Sequence, residues 1–264
     1  MEQTTDKMLS RKDGAIGHVI FNNPEKHNAV SLEMWDACDR IMDDFEKDGD
    51  IRVVVLSGAG GKSFVSGADI SKFEKERGSM EAVKHYNDRI KVVYERIQYF
   101  PKPTIAMING YCIGGGLNLA AACDLRFCSD KSKFAMPAAK LALGYPFAAI
   151  KRLIDAVGPA AAKHFMFTAD RIDAEEAYRV GFVSKVVSEE ELEAFVTEYA
   201  GKISANAPLT VKAMKLISNE VLKDAEARDL ALCDELVDAC FASEDYKEGR
   251  RAFMEKRPPE FKGR

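Results

Sequence analysis

The chain has 264 residues, 47% of them hydrophobic and 30% charged, with a formal net charge of −4. That is enough apolar material for a substantial core, as one large domain or one domain plus an appendage. The mildly acidic balance offers no footprint for nucleic acid or an anionic membrane surface, and no apolar run approaches the roughly 18 residues of a transmembrane helix.

The polar N-terminus, Met1 to Lys7, is neither a secretory signal nor an Arg-rich transit peptide, so a cytoplasmic protein of bacterial type is expected. Six cysteines, at 38, 112, 123, 128, 233 and 240, fall mostly in apolar segments without a Cys-x-x-Cys pair, and four histidines are scattered. Free buried thiols in a reducing compartment are expected, and no metal site is read.

In chain order, Gly14 to Asn23 reads as a strand and Pro24-Glu-Lys-His-Asn-Ala as a polar loop. Ser31 is placed to cap a helix over Leu32 to Lys47, whose apolar stripe is Leu32, Trp35, Cys38, Ile41 and Phe45. Arg52 to Leu56 is a strand-like run that empties into Ser57-Gly-Ala-Gly-Gly and then Phe64-Val-Ser-Gly-Ala-Asp-Ile. Ser71 to Met80 is charged, carries Gly78, and reads as a loop or short helix. A longer helix over Glu81 to Tyr99 carries Val83, Ile90, Val93 and Ile97. Thr104 to Ile108 then forms a buried strand, Gly114 to Gly116 break it, Leu117 to Cys123 turn helical, and Leu125-Arg-Phe-Cys starts another strand.

This alternation predicts a parallel-rich sheet layered with helices, an α/β fold. From Phe147 onward nearly everything reads as helix. Asp173-Ala-Glu-Glu and Ser188-Glu-Glu-Glu are capping boxes that bracket a last strand over Val180 to Val187. Amphipathic helices near 208–223, 226–242 and 245–256 have few partners of their own and call for another surface.

A strand, a glycine turn and a helix in succession leave backbone N–H groups unpaired at the helix start, and the helix dipole adds positive charge there. No Lys-Ser/Thr follows the glycines, so the pattern is not a P-loop. The glycines alone favour the plainer reading, a tight turn that lets a helix pack closely on a sheet. Two such turns, each offering one N–H, could grip a single carbonyl oxygen from two sides.

Asn23-Pro-Glu-Lys-His-Asn-Ala, Phe64-Val-Ser-Gly-Ala-Asp-Ile, Pro101-Lys-Pro-Thr-Ile-Ala-Met-Ile-Asn-Gly and Gly114-Gly-Gly resemble, in order and spacing, the crotonase superfamily, the enoyl-CoA hydratase/isomerase family. The C-terminal Glu244-Asp-Tyr-Lys-Glu-Gly and Glu255-Lys-Arg-Pro-Pro-Glu-Phe are similar to it as well, so the resemblance spans the chain from about Gly14 onward. It implies a spiral of ββα units over residues 1–200 that binds acyl-CoA, and a helical oligomerisation region over 201–264 that forms homotrimers or dimers of trimers. It implies an acyl-CoA thioester substrate, with coenzyme A entering as part of the substrate and no tightly bound cofactor. Carried over by position, the N–H groups of Ala68 and Gly115 would be oxyanion donors, and Lys26, His27, Ala29, Ala68, Asp69, Ile70 and Ser71 would contact CoA.

Two departures bear on the chemistry. Hydratases of this family use two glutamates, one two positions after the third glycine and one after the Pro that follows the next strand. Here those positions are Asn118 and Ala138. Asparagine holds a water or a carbonyl but takes no proton at neutral pH, and alanine does neither. Losing one acid–base group typically costs about 10²–10⁴ in rate, so hydration by the usual route is not expected. An intact oxyanion site without carboxylates suits decarboxylation of a malonyl-type thioester, or C–C or thioester cleavage.

Tyr145 falls where a decarboxylase of the superfamily carries a pocket tyrosine, and equally reads as a packing residue. Glu74, Glu76 and His85 follow the first turn and read as solvated charges and an ordinary helix residue, with catalysis as the alternative. Lys140 reads as facing water. A protein that binds acyl-CoA without turning it over is the remaining alternative.

Overall fold

A hairpin opens the chain: β1 (Met8–Asp13) runs antiparallel to β2 (Ile16–Phe21). The computed structural model describes residues 5–72, 74, 76 and 78–264, so Lys75 and Arg77 of the charged segment expected after the first turn lie outside the described residues. The single strand expected over 14–23 is half of this hairpin, because Gly14 turns the chain at φ +54°. The polar run Ser10 to Asp13 hides β1 from an apolar pattern.

From β2 the ladder continues parallel through β3 (Val53–Gly58), β5 (Thr104–Ile108), β7 (Leu125–Ser129) and β10 (Lys185–Val187), giving the order β1-β2-β3-β5-β7-β10. A second sheet, of order β4-β6-β8-β9, is built from β4 (Ser63–Val65), β6 (Tyr111–Ile113), β8 (Lys133–Ala135) and β9 (Ile172–Asp173). β3, β5 and β7 are thus each followed by a short strand in the other sheet and then by helix, which is the ββα repeat of the spiral. Strands of two or three residues leave no alternation to read.

The helices are α1 (Leu32–Lys47), α2 (Met80–Gln98), α3 (Gly115–Ala122), α4 (Phe147–Thr168), α5 (Ala174–Arg179), α6 (Leu192–Ser204), α7 (Pro208–Val221), α8 (Leu230–Ala242) and α9 (Glu244–Glu255). Ser31 precedes α1 as expected but makes no side-chain capping bond. Asp173 does cap α5, accepting from Glu176 N at 2.9 Å. The last strand is shorter than the expected 180–187, since Gly181 takes φ +80° and the chain turns before Lys185.

The inner strands of the six-stranded sheet are buried on both faces. Val54 and Leu56 face the main core with Phe21, Trp35, Phe45, Phe64 and Leu117. Val53 and Val55 face the other way, against Leu192, Val196 and Ala200 of α6. That helix runs across the expected boundary at residue 200, so the C-terminal region continues from a helix already anchored in the core. Cys38, Cys112, Cys123 and Cys128 are buried free thiols, and burial pushes Cys123 and Cys128 up to about 12.

Polar contacts order the C-terminal region and fasten it to this body. Asp245, 3% exposed, accepts from Lys262 N at 2.7 Å and Gly263 N at 2.8 Å, while Glu248 takes Arg257 at 2.6 Å and Glu260 N at 3.1 Å. The Glu244–Gly249 motif therefore clamps the chain's last residues back onto α9. Deeper in, Lys215 of α7, its side chain 6% exposed, reaches Asp124 at 2.8 Å and Lys102 O at 3.0 Å. Burial pulls the Lys215 amine below its ordinary value, and Asp124 opposes that. Asp124 also accepts from Thr104 N at 2.7 Å, so one carboxylate holds the start of β5, the end of α3 and α7 together.

Removing one partner of a buried ion pair leaves an uncompensated charge. Asp124→Ala is expected to cost about 3 kcal/mol of unfolding free energy. Lys84→Ala, which breaks an exposed pair with Asp88, should cost less than about 1 kcal/mol. Urea unfolding midpoints of the two variants check the contrast, and equal small shifts would remove Lys215–Asp124 as an anchor.

Candidate active site

The two glycine turns expected from sequence lie against each other. β4 ends at Val65, and Gly67 takes φ +105°, a backbone region that a side chain rarely enters. The chain then bridges to the loop before α1: Val30 N donates to Gly67 O at 2.8 Å and Asp69 N to Val30 O at 3.0 Å. Those bonds use the groups on either side of Ala68, so the Ala68 N–H points the opposite way and has no acceptor among the described residues.

The second turn follows β6. Gly114 N donates to Ala135 O at 2.8 Å, which lays the turn beside β8, and α3 begins at Gly115. As the first residue of α3, Gly115 has an N–H with no helical acceptor. Gly116 carries the helix onto β4 so closely that a Cβ there would meet Val65 O at 2.0 Å. A Cβ on Gly67 would lie 3.6 Å from Gly115 N, and one on Gly115 would lie 3.6 Å from Gly67 Cα. The backbones of the two turns are in contact, with two unengaged N–H groups beside the junction.

Around this junction stand the residues that replace the expected acids. Asn118, one turn into α3, is 4% exposed, and its Oδ1 has no hydrogen-bond partner among the described residues. Ala138 sits in the short helical turn Pro137–Leu141 after β8, whose Pro137 Cδ lies 3.8 Å from where a Gly114 Cβ would be. Tyr145 is partly buried against the core with its hydroxyl 3.6 Å from that same point. Sequence spacing therefore placed Gly115, Asn118, Ala138 and Tyr145 around one turn, and the fold brings them there.

The loops expected to contact CoA meet beside the first turn. Lys26 Nζ reaches Asp69 Oδ2 at 3.0 Å and Ser71 Oγ at 2.6 Å, and Ser71 Oγ donates to Asp69 Oδ1 at 2.6 Å. Burial alone would raise the Asp69 carboxyl, but the bonds from Ser71 and Lys26 outweigh it and hold the group below its ordinary value. His27, at φ +51°, is exposed and stands edge-on to Tyr111, with ring centroids 5.8 Å apart. Ile70 is 63% exposed, an apolar side chain at the rim of a charged loop. Ala29, at 9% exposure, packs inward with its O taken by Asn23 Nδ2, and Asp69 is buried as well, at 5%.

The weaker candidates lie elsewhere. Lys140 pairs with Asp170 at 2.8 Å on the surface, His85 and Glu74 are exposed, and Glu76 accepts from Leu32 N at the start of α1. Among the described residues no group of His, Cys, Asp and Glu is arranged to hold a metal, and no helix is long and apolar enough to cross a membrane. One residue escaped the sequence reading. Tyr94 of α2 donates its hydroxyl to Gly115 O at 3.0 Å. The apolar stripe Val83-Ile90-Val93-Ile97 passes beside it, and an aromatic on a helix carries no signal of which backbone atom it will meet.

The family model described as enoyl-CoA hydratase/isomerase matches residues 11–264. The chain is 37% identical over 260 residues to a short-chain-enoyl-CoA hydratase of Clostridium acetobutylicum, covering 98% of this chain and 99% of that one. It is 33% identical over 273 residues to a peroxisomal Delta(3,5)-Delta(2,4)-dienoyl-CoA isomerase of Arabidopsis thaliana, covering 98% and 97%. The solved structure of an enoyl-CoA hydratase/carnithine racemase from Magnetospirillum magneticum superposes with a TM-score of 0.92 at 32% identity, covering 99% of this chain and 97% of that one. Matches end to end in sequence and in fold, around paired glycine turns in the expected register, make this chain a member of the enoyl-CoA hydratase/isomerase family and an enzyme of that hydratase/isomerase type.

Proposed function

We propose that this enzyme carries an acyl-CoA thioester through its enolate, holding the thioester oxygen between the N–H groups of Ala68 and Gly115. The contact of Gly67 with Gly115, with both N–H groups left over, is the observation that carries the reading. A fixed pair of donors in a partly buried site favours the charge that develops on the oxygen over the neutral ground state. The CoA moiety would run along Lys26, His27, Ala68, Asp69, Ile70 and Ser71. In support, Lys26, Asp69 and Ser71 already form one hydrogen-bonded cluster there. Ala29 would shape that loop from within.

Asn118 and Ala138 set the acid–base limits of the site. Hydration through two carboxylates is unavailable, so the enolate would form by loss of a group that leaves its electron pair on the thioester, and a solvent proton would then quench it at the α carbon. Asn118, through its unpartnered Oδ1, would accept a hydrogen bond from a substrate or water. The hydroxyl of Tyr145 near Gly114 favours a second reading, decarboxylation. There the C–C bond to the carboxylate breaks, CO₂ leaves, the electron pair rests on the thioester, and a proton then adds at the α carbon. Localisation in a reducing compartment such as the cytoplasm is supported by the buried free thiols.

We place the C-terminal helices at a subunit interface in a homotrimer or dimer of trimers. Leu230 at 66%, Phe241 at 60% and Phe253 at 82% exposure on α8 and α9 support this, being more apolar surface than a lone helix pair leaves bare. Light scattering should return three or six times the chain mass, and a monomer at micromolar concentration would refute it.

Mass-spectrometric analysis of the purified protein with crotonyl-, longer enoyl-, methylmalonyl- and β-ketoacyl-CoA tests the main reading. At least one thioester should be converted, and Gly115→Pro should lower that rate by about 10²-fold, since proline suits a first helical position yet lacks the N–H. Binding without conversion of any thioester would leave a non-catalytic acyl-CoA protein. Restoring the acids in Asn118→Glu/Ala138→Glu is expected to raise crotonyl-CoA hydration by about 10²-fold or more. Equal hydration by parent and variant would show that another group already moves the protons.

A further inference from the structure

We propose that Tyr94 is a positioning residue of the acyl-CoA site: its hydroxyl, with the buried guanidinium of Arg152 against its ring, holds Gly115 so that the Gly115 N–H stays aimed at the thioester oxygen. The inference rests on the oxyanion reading of Ala68 and Gly115 and adds the device that orients one of the two donors.

Tyr94 Oη lies 3.0 Å from Gly115 O, and a Cβ on Gly115 would come within 3.3 Å of the hydroxyl. A side chain at Gly115 would thus crowd the Tyr94 hydroxyl, and glycine is the residue whose φ and ψ are least restrained by itself. Its carbonyl and its N–H flank the same Cα. Anchoring the carbonyl consequently narrows the directions that the N–H can take.

The ring is held in its turn. It meets Trp35 edge-on with centroids 5.3 Å apart, and the Arg152 Cζ lies 5.4 Å from its centroid. Phenylalanine would fill the same volume, so packing does not account for the hydroxyl. Arg152 is 6% exposed, donates Nε to Gln98 Oε1 at 2.7 Å, and pairs with no carboxylate among the described residues. Burial pulls its guanidinium below the ordinary value, and Tyr94 is foremost among the groups that oppose this. A buried cation against a phenol ring favours electron density on the phenol oxygen's side of the O–H bond, which makes the hydroxyl a stronger donor. The buried arginine against its ring and the tyrosine at the glycine turn thus have one explanation, a relay from Arg152 through Tyr94 to Gly115.

The test compares wild type, Tyr94→Phe and Arg152→Gln with cinnamoyl-CoA, a conjugated thioester whose absorption moves to longer wavelength when its carbonyl is polarised. Tyr94→Phe should keep the dissociation constant within about twofold, since the CoA loops are untouched, while losing most of the red shift. For whichever thioester the enzyme converts, kcat should fall about tenfold with KM little changed. Arg152→Gln should move both readouts the same way by less. A Tyr94→Phe protein that binds with an undiminished red shift and kcat overturns the proposal and leaves the oxyanion reading standing. A wild-type protein that binds cinnamoyl-CoA with no red shift overturns both. A thermal melt of Tyr94→Phe well below wild type, with binding and red shift lost together, would make Tyr94 structural and also overturn it.

Discussion

The contact between the Gly67 and Gly115 backbones is the constraint on which the rest of the structure depends. The turn at Gly67 needs φ +105°, a backbone region that side chains rarely enter. The approach also requires α3 to press onto β4, which Gly116 permits and a Cβ meeting Val65 O at 2.0 Å would forbid. Gly116 is among the most sterically restricted glycines of the described residues. The sheets on either side exist, in effect, to hold that approach rigid.

What surrounds the junction is a site rich in hydrogen-bond donors and poor in bases. Backbone N–H groups at Ala68 and Gly115, the Tyr94 and Tyr145 hydroxyls and the Asn118 amide all gather there, with no carboxylate at either expected position. Donors without bases stabilise negative charge once it has formed but do little to create it by removing a proton. On the proposed oxyanion reading, that balance would suit substrates that carry their own leaving group.

Charge is used elsewhere mainly as a fastener. Lys26, Asp69 and Ser71 join the two loops beside the first turn, and Lys215 and Asp124 fix the C-terminal helices to the end of α3. Asp245 and Glu248 fold the final residues back onto α9. Lys26–Asp69 and Lys215–Asp124 span segments far apart in sequence, which is where an oriented interaction does most to exclude alternative packings.

Much was legible without coordinates. The α1 span from Leu32 to Lys47, the parallel alternation of strand and helix and the two glycine turns follow from apolar periodicity and from glycine's unique backbone range, while the reading of Asn118 and Ala138 as replaced acids rests on the family resemblance. Strands of two or three residues in the second sheet have no period to show, and β1 looks polar because one of its faces meets water. The inward packing of Ala29, the convergence of Tyr94 and Arg152 on Gly115, and the isolation of Asn118 Oδ1 were decided only by tertiary structure. Local pattern records which face of an element is apolar. Which atom a side chain meets across the core depends on how distant segments pack, and that information belongs to the whole fold.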